Sequence, residues 1–290
     1  MEFIETLING LSSGGTYAMI ALGYTMVYGI AKMLNFAHGD IIMVGGYTIF
    51  VTMSVSGNPI LDLLAAVVFC MLLGILIEKV AYKPLRGASP LAVLITAIGV
   101  SYLLQSLAQI IFGSSPKMVM IADWGNVSIA GLKIPVYVLV TLICSFAIML
   151  LLSAFVRFTK TGRAMIAVSE DKGAAQLMGI SVNGIITITF AIGSVLAAFA
   201  GFFMLIKSPS LTNTLGAMPG IKAFTAAVIG GIGSIPGAML GGIVLGVIEA
   251  CSFKITAIAP YTDAIEFIIL IVILLIRPTG ILGKKRREKV

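Results

Sequence analysis

The chain has 290 residues, of which 59% are hydrophobic and 11% charged, and its mean hydropathy is +1.11. A soluble domain is about 25% charged, and this much apolar surface exceeds what a water-soluble core encloses, so the solvent for most of the molecule is lipid. The formal charge of +7 is spread over links and tail and gathers on no face, which excludes a nucleic-acid partner and leaves membrane topology as its cause.

The predicted elements follow in order. Apolar runs fall near residues 7–30, 36–56, 60–78, 91–112, 134–156, 184–206, 219–250 and 263–277. Runs of about 20 residues separated by short polar links predict an all-α, polytopic helical membrane protein. Its single domain, 1–290, holds about eight to ten membrane segments, some of them discontinuous. The start, MEFIETLING, lacks a basic n-region, so a cleaved signal peptide is not expected.

The second run opens on NFAHGD, which holds the only histidine of the chain. Asn35 is expected to cap a helix starting at Phe36 or Ala37. His38 and Asp40 then fall in its first turn, where the carboxylate suits the helix dipole. Two readings stay open at this point: an ordinary capped start at the interface, or a helix N-terminus on a translocation path that Gly39 lets neighbours approach.

The basic links KVAYKPLR (79–86), RFTKTGR (157–163) and KKRREK (284–289) predict cytoplasmic placement of all three, and with them a cytoplasmic C-terminal tail, 283–290. The loop 113–133, with Asp123, Trp124 and Asn126, is then outside. The segment 157–183 is long for a simple link. Residues 163–178 are predicted as a short amphipathic helix, with Met165, Ile166, Val168, Leu177 and Met178 as its apolar contacts and Arg163, Glu170, Asp171 and Lys172 as its charges. A helix bound to lipid headgroups favours an excess of Lys and Arg, whereas these charges are mixed and suit a protein partner.

Small residues recur at helical spacing. Thr189, Gly193, Ala197 and Gly201 form one stripe, and Gly233, Gly237 and Gly241 another, both read as close helix packing in lipid. The run 219–250 is too long and too rich in glycine and proline for one span. Two shorter helices meeting near Ser234 and Pro236 fit it, and paired Gly/Pro-interrupted helices mark transporters. Asp40, Glu249, Asp263 and Glu266 are the ionisable groups in the spans, where charge is costly. Glu249 is either a pathway residue or a snorkelling one. Asp263 and Glu266 share a helical face at the expected outer interface. Cys70, Cys144 and Cys251 read as small buried hydrophobes. There is no P-loop spacing, no metal-ligand cluster and no nucleophile–base–acid set, so no cofactor, no metal and no enzymatic activity are expected.

Four segments carry a family resemblance. GLSSGGTYAMIALGYTMVYGIAKMLNFAHGDIIMVGGY (10–47), RAMIAVSEDKGAAQLMGISVNGIITITFAIGSVLAAFAG (163–201), PGIKAFTAAVIGGIGSIPGAMLGGIVLGVIE (219–249) and RPTGILG (277–283) resemble the branched-chain amino acid ABC transporter permeases, in particular the NFAHG-bearing member of the permease pair. The resemblance implies a non-enzymatic, multi-pass subunit of the bacterial inner membrane. Its implied partners are a second related permease, two cytoplasmic ATPase subunits, a periplasmic or lipid-tethered binding protein and membrane lipid. By position it places Glu170, Asp171, Gly173, Ala174, Ala175 and Gly179 in the segment that couples to the ATPases, with Arg163 at its start. EDKGAAQLMG follows the EAA…G pattern of other ABC permeases loosely. Asn35, Phe36, Ala37, His38 and Gly39 match the N-terminal motif. They are read, with Asp40 and Glu249, as pathway or gate candidates: Asn35 caps a helix that lines or supports the path, and His38 and Asp40 tune its cytoplasmic mouth. Two alternatives remain: a permease for urea or short amides, and an ion-coupled secondary carrier seeded by Glu249.

Overall fold

A computed structural model describes residues 2–121, 124–129 and 132–283; Asp123 and the basic tail 284–289 lie outside the described residues. The helices are α1 (Glu2–Ala31), α2 (His38–Ser56), α3 (Pro59–Ile77), α4 (Pro90–Phe112), α5 (Val136–Phe158), α6 (Lys160–Glu170), α7 (Lys172–Leu177), α8 (Val182–Lys207), α9 (Ala217–Gly230), α10 (Ile235–Lys254) and α11 (Thr262–Ile276). α3 runs on through a π turn, Glu78–Tyr82, and a 3₁₀ turn, Lys83–Leu85. Two small antiparallel ladders complete the fold: β1 (Lys117–Met118) pairs with β4 (Ser210–Leu211), and β2 (Asn126–Ile129) pairs with β3 (Leu132–Pro135). Trp124 and Asn126 thus sit in or beside a hairpin of the expected outer loop.

Local chemistry sets most boundaries. Asn58, Ser89, Thr159, Asp171, Ser181 and Ser234 each accept a first-turn N–H at the N-terminus of α3, α4, α6, α7, α8 and α10. Proline occupies the first turn of α3, α4 and α10, where its missing N–H costs nothing. The long run 219–250 divides as expected, at Gly231–Ser234. The expected helix 163–178 instead breaks into α6 and α7, because Asp171 turns its carboxylate onto the N–H groups of Gly173 and Ala174 at 2.9 and 3.0 Å and starts a new helix there.

Seven helical stretches are long and apolar enough to cross a membrane: α2, α3 with its extension, α4, α5, α8, α10, and α11 with the turn before it. At 30 residues α1 has the length but is more polar. Its Ser12, Ser13, Thr16 and Thr25 are buried by neighbouring helices, so much of it meets protein instead of lipid. α9, at 14 residues, runs only part of the way. The seven stretches with α1 and α9 fall within the expected eight to ten.

α1 is the axis of the bundle. Antiparallel to it, α10 packs so closely that a Cβ on Gly10 would stand 3.0 Å from Cα of Val247, and one on Gly14 would stand 2.8 Å from Cα of Ile243. The expected Gly233–Gly237–Gly241 series serves a different contact, the hairpin of α10 with α9, where Gly237 and Gly241 face Gly230 and Ala226. The α8 stripe packs as expected, with Gly193 toward Gly23 and Val27 of α1 and Gly201 against Ile42 of α2.

Two helices begin inside the bundle. The C-terminus of α1 lies at the end that carries the basic links 79–86 and 157–163, where Nζ of Lys172 donates to the carbonyl of Ala31 at 2.9 Å. Lys32 then takes φ +59°, a left-handed conformation uncommon outside glycine. It turns the chain back, so that α2 starts with His38 against Gly23. From Gly23 to Ala31 is about 12 Å along the helix axis. α9 does the same from the opposite end. After α8 and β4, residues 212–216 return inward and place Gly216 and Gly220 directly on Gly39.

Candidate functional site

The junction of α2 and α9 holds the NFAHGD residues, and all but Phe36 are buried. Asn35 caps no helix. Ala37 occupies the N-cap position of α2 without a side-chain bond, while Oδ1 of Asn35 accepts from the hydroxyl of Tyr82 at 2.8 Å. The capping reading is thereby corrected: Asn35 ties the link 32–37 to the π turn after α3. The Tyr82 ring lies against Phe190 at 5.1 Å between centroids. His38 stands edge-on to Tyr24 at 4.8 Å. Phe36 packs on Phe224 of α9 at 5.6 Å, and Tyr24 meets the same ring at 5.9 Å. Oδ1 of Asp40 accepts from Nε2 of Gln105 at 2.8 Å, and that nitrogen also reaches Oγ of Ser101 at 3.2 Å. The hexapeptide therefore sits within the bundle, well above the end of α1, and not at a cytoplasmic mouth.

Beside it a groove of about 310 Å³ runs along α4, lined by Phe36, Leu94, Ile98, Ser101, Tyr102, Gln105 and Ala217. Its walls are largely apolar. Two helix N-termini, those of α2 and α9, begin next to it, and such termini carry partial positive charge suited to a carboxylate. Apolar walls beside two positive helix ends match a solute with an aliphatic side chain and an acid group. Tyr24, Tyr82, Ser101, Gln105 and Phe224 were not singled out from sequence. Ser101 and Gln105 carry a readable signal, two polar groups four apart in the apolar run of α4.

The coupling residues share one surface at the basic end. Arg163, Glu170, Asp171, Gly173, Ala174 and Gly179 are exposed, while Ala175 packs inward. Gly179 takes φ +80° and closes α7, with the N–H of Ile180 returning to the carbonyl of Ala175 at 3.0 Å. The apolar residues that follow α7's axis point outward: Leu177 is 91% and Met178 82% exposed. Met165 and Val168 of α6 anchor the unit to the bundle.

Glu249 neither snorkels nor faces the groove. Its Oε1 accepts from the hydroxyl of Tyr17 at 2.8 Å and from Nζ of Lys222 at 2.7 Å. Nζ of Lys222 also lies 2.8 Å from Asp263 and 3.4 Å from Glu266. The two acids share a face as expected, since both reach Lys222; Asp263 remains half exposed, but Glu266 is buried and not at an interface. Lys222 was not singled out from sequence. It is the counter-ion that intramembrane carboxylates require.

A lipid-solvated helical bundle in which two interrupted helices start back to back beside an apolar groove defines a transport permease. Comparison with known proteins agrees. Residues 6–274 match the family model described as branched-chain amino acid transport system / permease component. The chain is 42% identical to the high-affinity branched-chain amino acid transport system permease protein BraD of Pseudomonas aeruginosa, over 100% of this chain and 98% of that one. It is 40% identical to the corresponding LivH of Escherichia coli K12, again over 100% and 98%. Among solved structures, PsaBC from Streptococcus pneumoniae in complex with Fab aligns at TM-score 0.51 and 18% identity, covering 93% of this chain and 94% of that one, a likeness of fold. This chain belongs to the family of branched-chain amino acid transport system permease components, and as such it is a transport subunit without catalytic chemistry of its own.

Proposed function

We propose that the chain moves leucine, isoleucine and valine across the bacterial inner membrane as one permease of an ABC importer. Permeases of this class work with ATPase and binding-protein partners. Here α6 and α7 take one of the two ATPase subunits through Leu177, Met178 and the coupling residues, the basic end with its tail 283–290 faces the cytoplasm, and the opposite end receives the binding protein. The second related permease lies against α4, across the groove. Residues 1–290 act as one permease domain, with 157–183 as its coupling segment. One observation carries this reading: the N-termini of α2 and α9 converge at Gly39 and Gly216 beside an apolar groove, which suits an aliphatic amino acid carboxylate passing between two permeases. Phe36 and the helix starts line the path; Asn35, His38, Gly39 and Asp40 hold them in place. Glu249 is already paired with Lys222 and Tyr17, which speaks against a carboxylate reserved for a coupling ion.

Uptake of labelled leucine and labelled urea is compared in cells with and without the gene, before and after ATP depletion with ion gradients maintained. Gene-dependent, ATP-dependent leucine uptake is expected. Loss of urea uptake alone changes the substrate, and gene-dependent uptake that survives ATP depletion overturns the ABC mechanism.

A further inference from the structure

Asp40 is only 2% exposed, yet among the described residues no lysine, arginine or histidine forms an ion pair with it. The buried glutamates Glu78, Glu249 and Glu266 each have a cation, as charge within a membrane usually does. The hydrogen bond to Asp40 comes instead from the groove residue Gln105, whose Nε2 lies 2.8 Å from Oδ1 of Asp40 and 3.2 Å from Oγ of Ser101. A carboxylate only accepts, so the NH2 end of the amide must face inward and its orientation is fixed. Among the described residues nothing donates to the other end, Oε1, and that oxygen is not enclosed. Gln105 lines the groove of about 310 Å³ together with Ser101 and Tyr102, and its free oxygen opens there.

The groove thus presents one acceptor backed by negative charge. The bond to Asp40 polarises the amide and strengthens Oε1 as an acceptor. The field of an unpaired carboxylate also carries far in surroundings of low dielectric. A cationic donor answers both features, a neutral donor answers only the first, and an anion answers neither. Phe36, Leu94 and Ile98 supply apolar wall for an aliphatic chain. Asp40 lies in the first turn of α2 and offsets the positive end of that helix. The start of α9, at Ala217 on the groove wall, is then the end left for a solute's carboxylate.

We infer that Gln105 receives the α-ammonium of the aliphatic amino acid in passage, with Asp40 as the positioning residue that orients its amide and supplies the counter-charge. The inference rests on the transport reading above and deepens it: the membrane path itself selects for an amino group, in addition to any selection by the binding protein. An amide oxygen suits this task better than a bare carboxylate would, because a solute in passage must leave its seat as readily as it enters.

The test uses the assembled transporter in lipid nanodiscs without its binding protein, so that the solute meets the membrane path alone. Binding of leucine is compared with that of isocaproate, which has the same side chain and carboxylate but no amino group. Both are titrated by saturation-transfer NMR on their methyl signals. The wild type is expected to bind leucine about ten-fold or more tightly than isocaproate. Asp40→Asn, which keeps the shape, and separately Gln105→Met, which keeps the volume, are expected to cut that preference to about two-fold or less. The readout is the ratio of the two solutes, since a role confined to packing weakens both alike and leaves the ratio in place. The wild-type comparison needs no variant, so a variant that fails to assemble leaves the test standing. The inference is overturned if the wild type binds both solutes equally or binds neither, or if the assembled variants keep the wild-type preference. The same preparation, reconstituted in vesicles with binding protein, is assayed for ATP-driven leucine uptake. Uptake without a leucine preference in the nanodiscs sinks this inference alone; no uptake by the wild type sinks the transport reading and this one with it.

Discussion

A side chain on Gly216 has no room: its Cβ lands on the carbonyl of Gly39, and a Cβ on Gly39 lands on the carbonyl of Gly216. Gly216→Ala therefore forces α2 and α9 apart. Overpacking of this kind costs about 1–3 kcal/mol. Leucine uptake is expected to fall about ten-fold or more while the protein is still recovered from the membrane fraction; uptake at the wild-type rate removes the junction from the path. The Lys222 cluster gives a second residue-level prediction. Removing one partner of a buried ion pair costs about 3–5 kcal/mol, so Lys222→Ala is expected to lower thermal stability in detergent sharply. Lys222→Met combined with Glu249→Gln and Glu266→Gln takes away the buried charges of the cluster and is expected to recover much of the loss. Equal melting of the single and combined variants argues that Lys222 is solvated in place. These residues also mark the limit of sequence reading. NFAHGD stood out by composition, and Glu249 by being charged among apolar neighbours. Their partners did not, since Tyr82 is 47 positions from Asn35 and Tyr17 is 232 from Glu249. A capping asparagine and one bonded across the bundle have the same local sequence.

Among the elements, those bounded by strong local signals were legible. The α9–α10 break carries glycine and proline, and the helices α3, α4 and α10 open on a capping residue followed by proline. The break before α2 was legible, but its inward start was not, because nothing in residues 32–37 announces the left-handed turn at Lys32. α7 is the element most open to test. Asp171→Ala removes the N-cap, at a cost of about 1 kcal/mol, and is expected to reduce ATP-driven uptake by loosening α7. Leu177→Asp changes an exposed position, so the stability of the permease is expected to stay within about 0.5 kcal/mol while the ATPase subunits no longer co-purify. Retained ATPase in that preparation places the docking surface elsewhere.

For the molecule as a whole, the exposed apolar surface divides between lipid and partner. α4 is among the helices least covered within the chain, and Leu103 and Leu107 are exposed on it. If the second permease lies there, Leu103→Arg is expected to abolish its co-purification and leave the fold of this chain intact; an unchanged yield of the pair moves the interface to another helix. Helix number was legible because it follows from composition along the chain. The three-dimensional order was not, because the small-residue stripes name a packing face without naming which helix it meets.

The polar character of α1 has a consequence for how the protein is made. α1 is the long helix least suited to lipid, and it leaves the ribosome well before its principal neighbour α10. Ser13 finds Lys207 once α8 is made, but Tyr17 waits for Glu249, a carboxylate encoded far downstream on α10. Assembly thus closes late: a nascent chain that stops short of α10 leaves Tyr17 without its carboxylate and the glycine face of α1 without the helix that fits it.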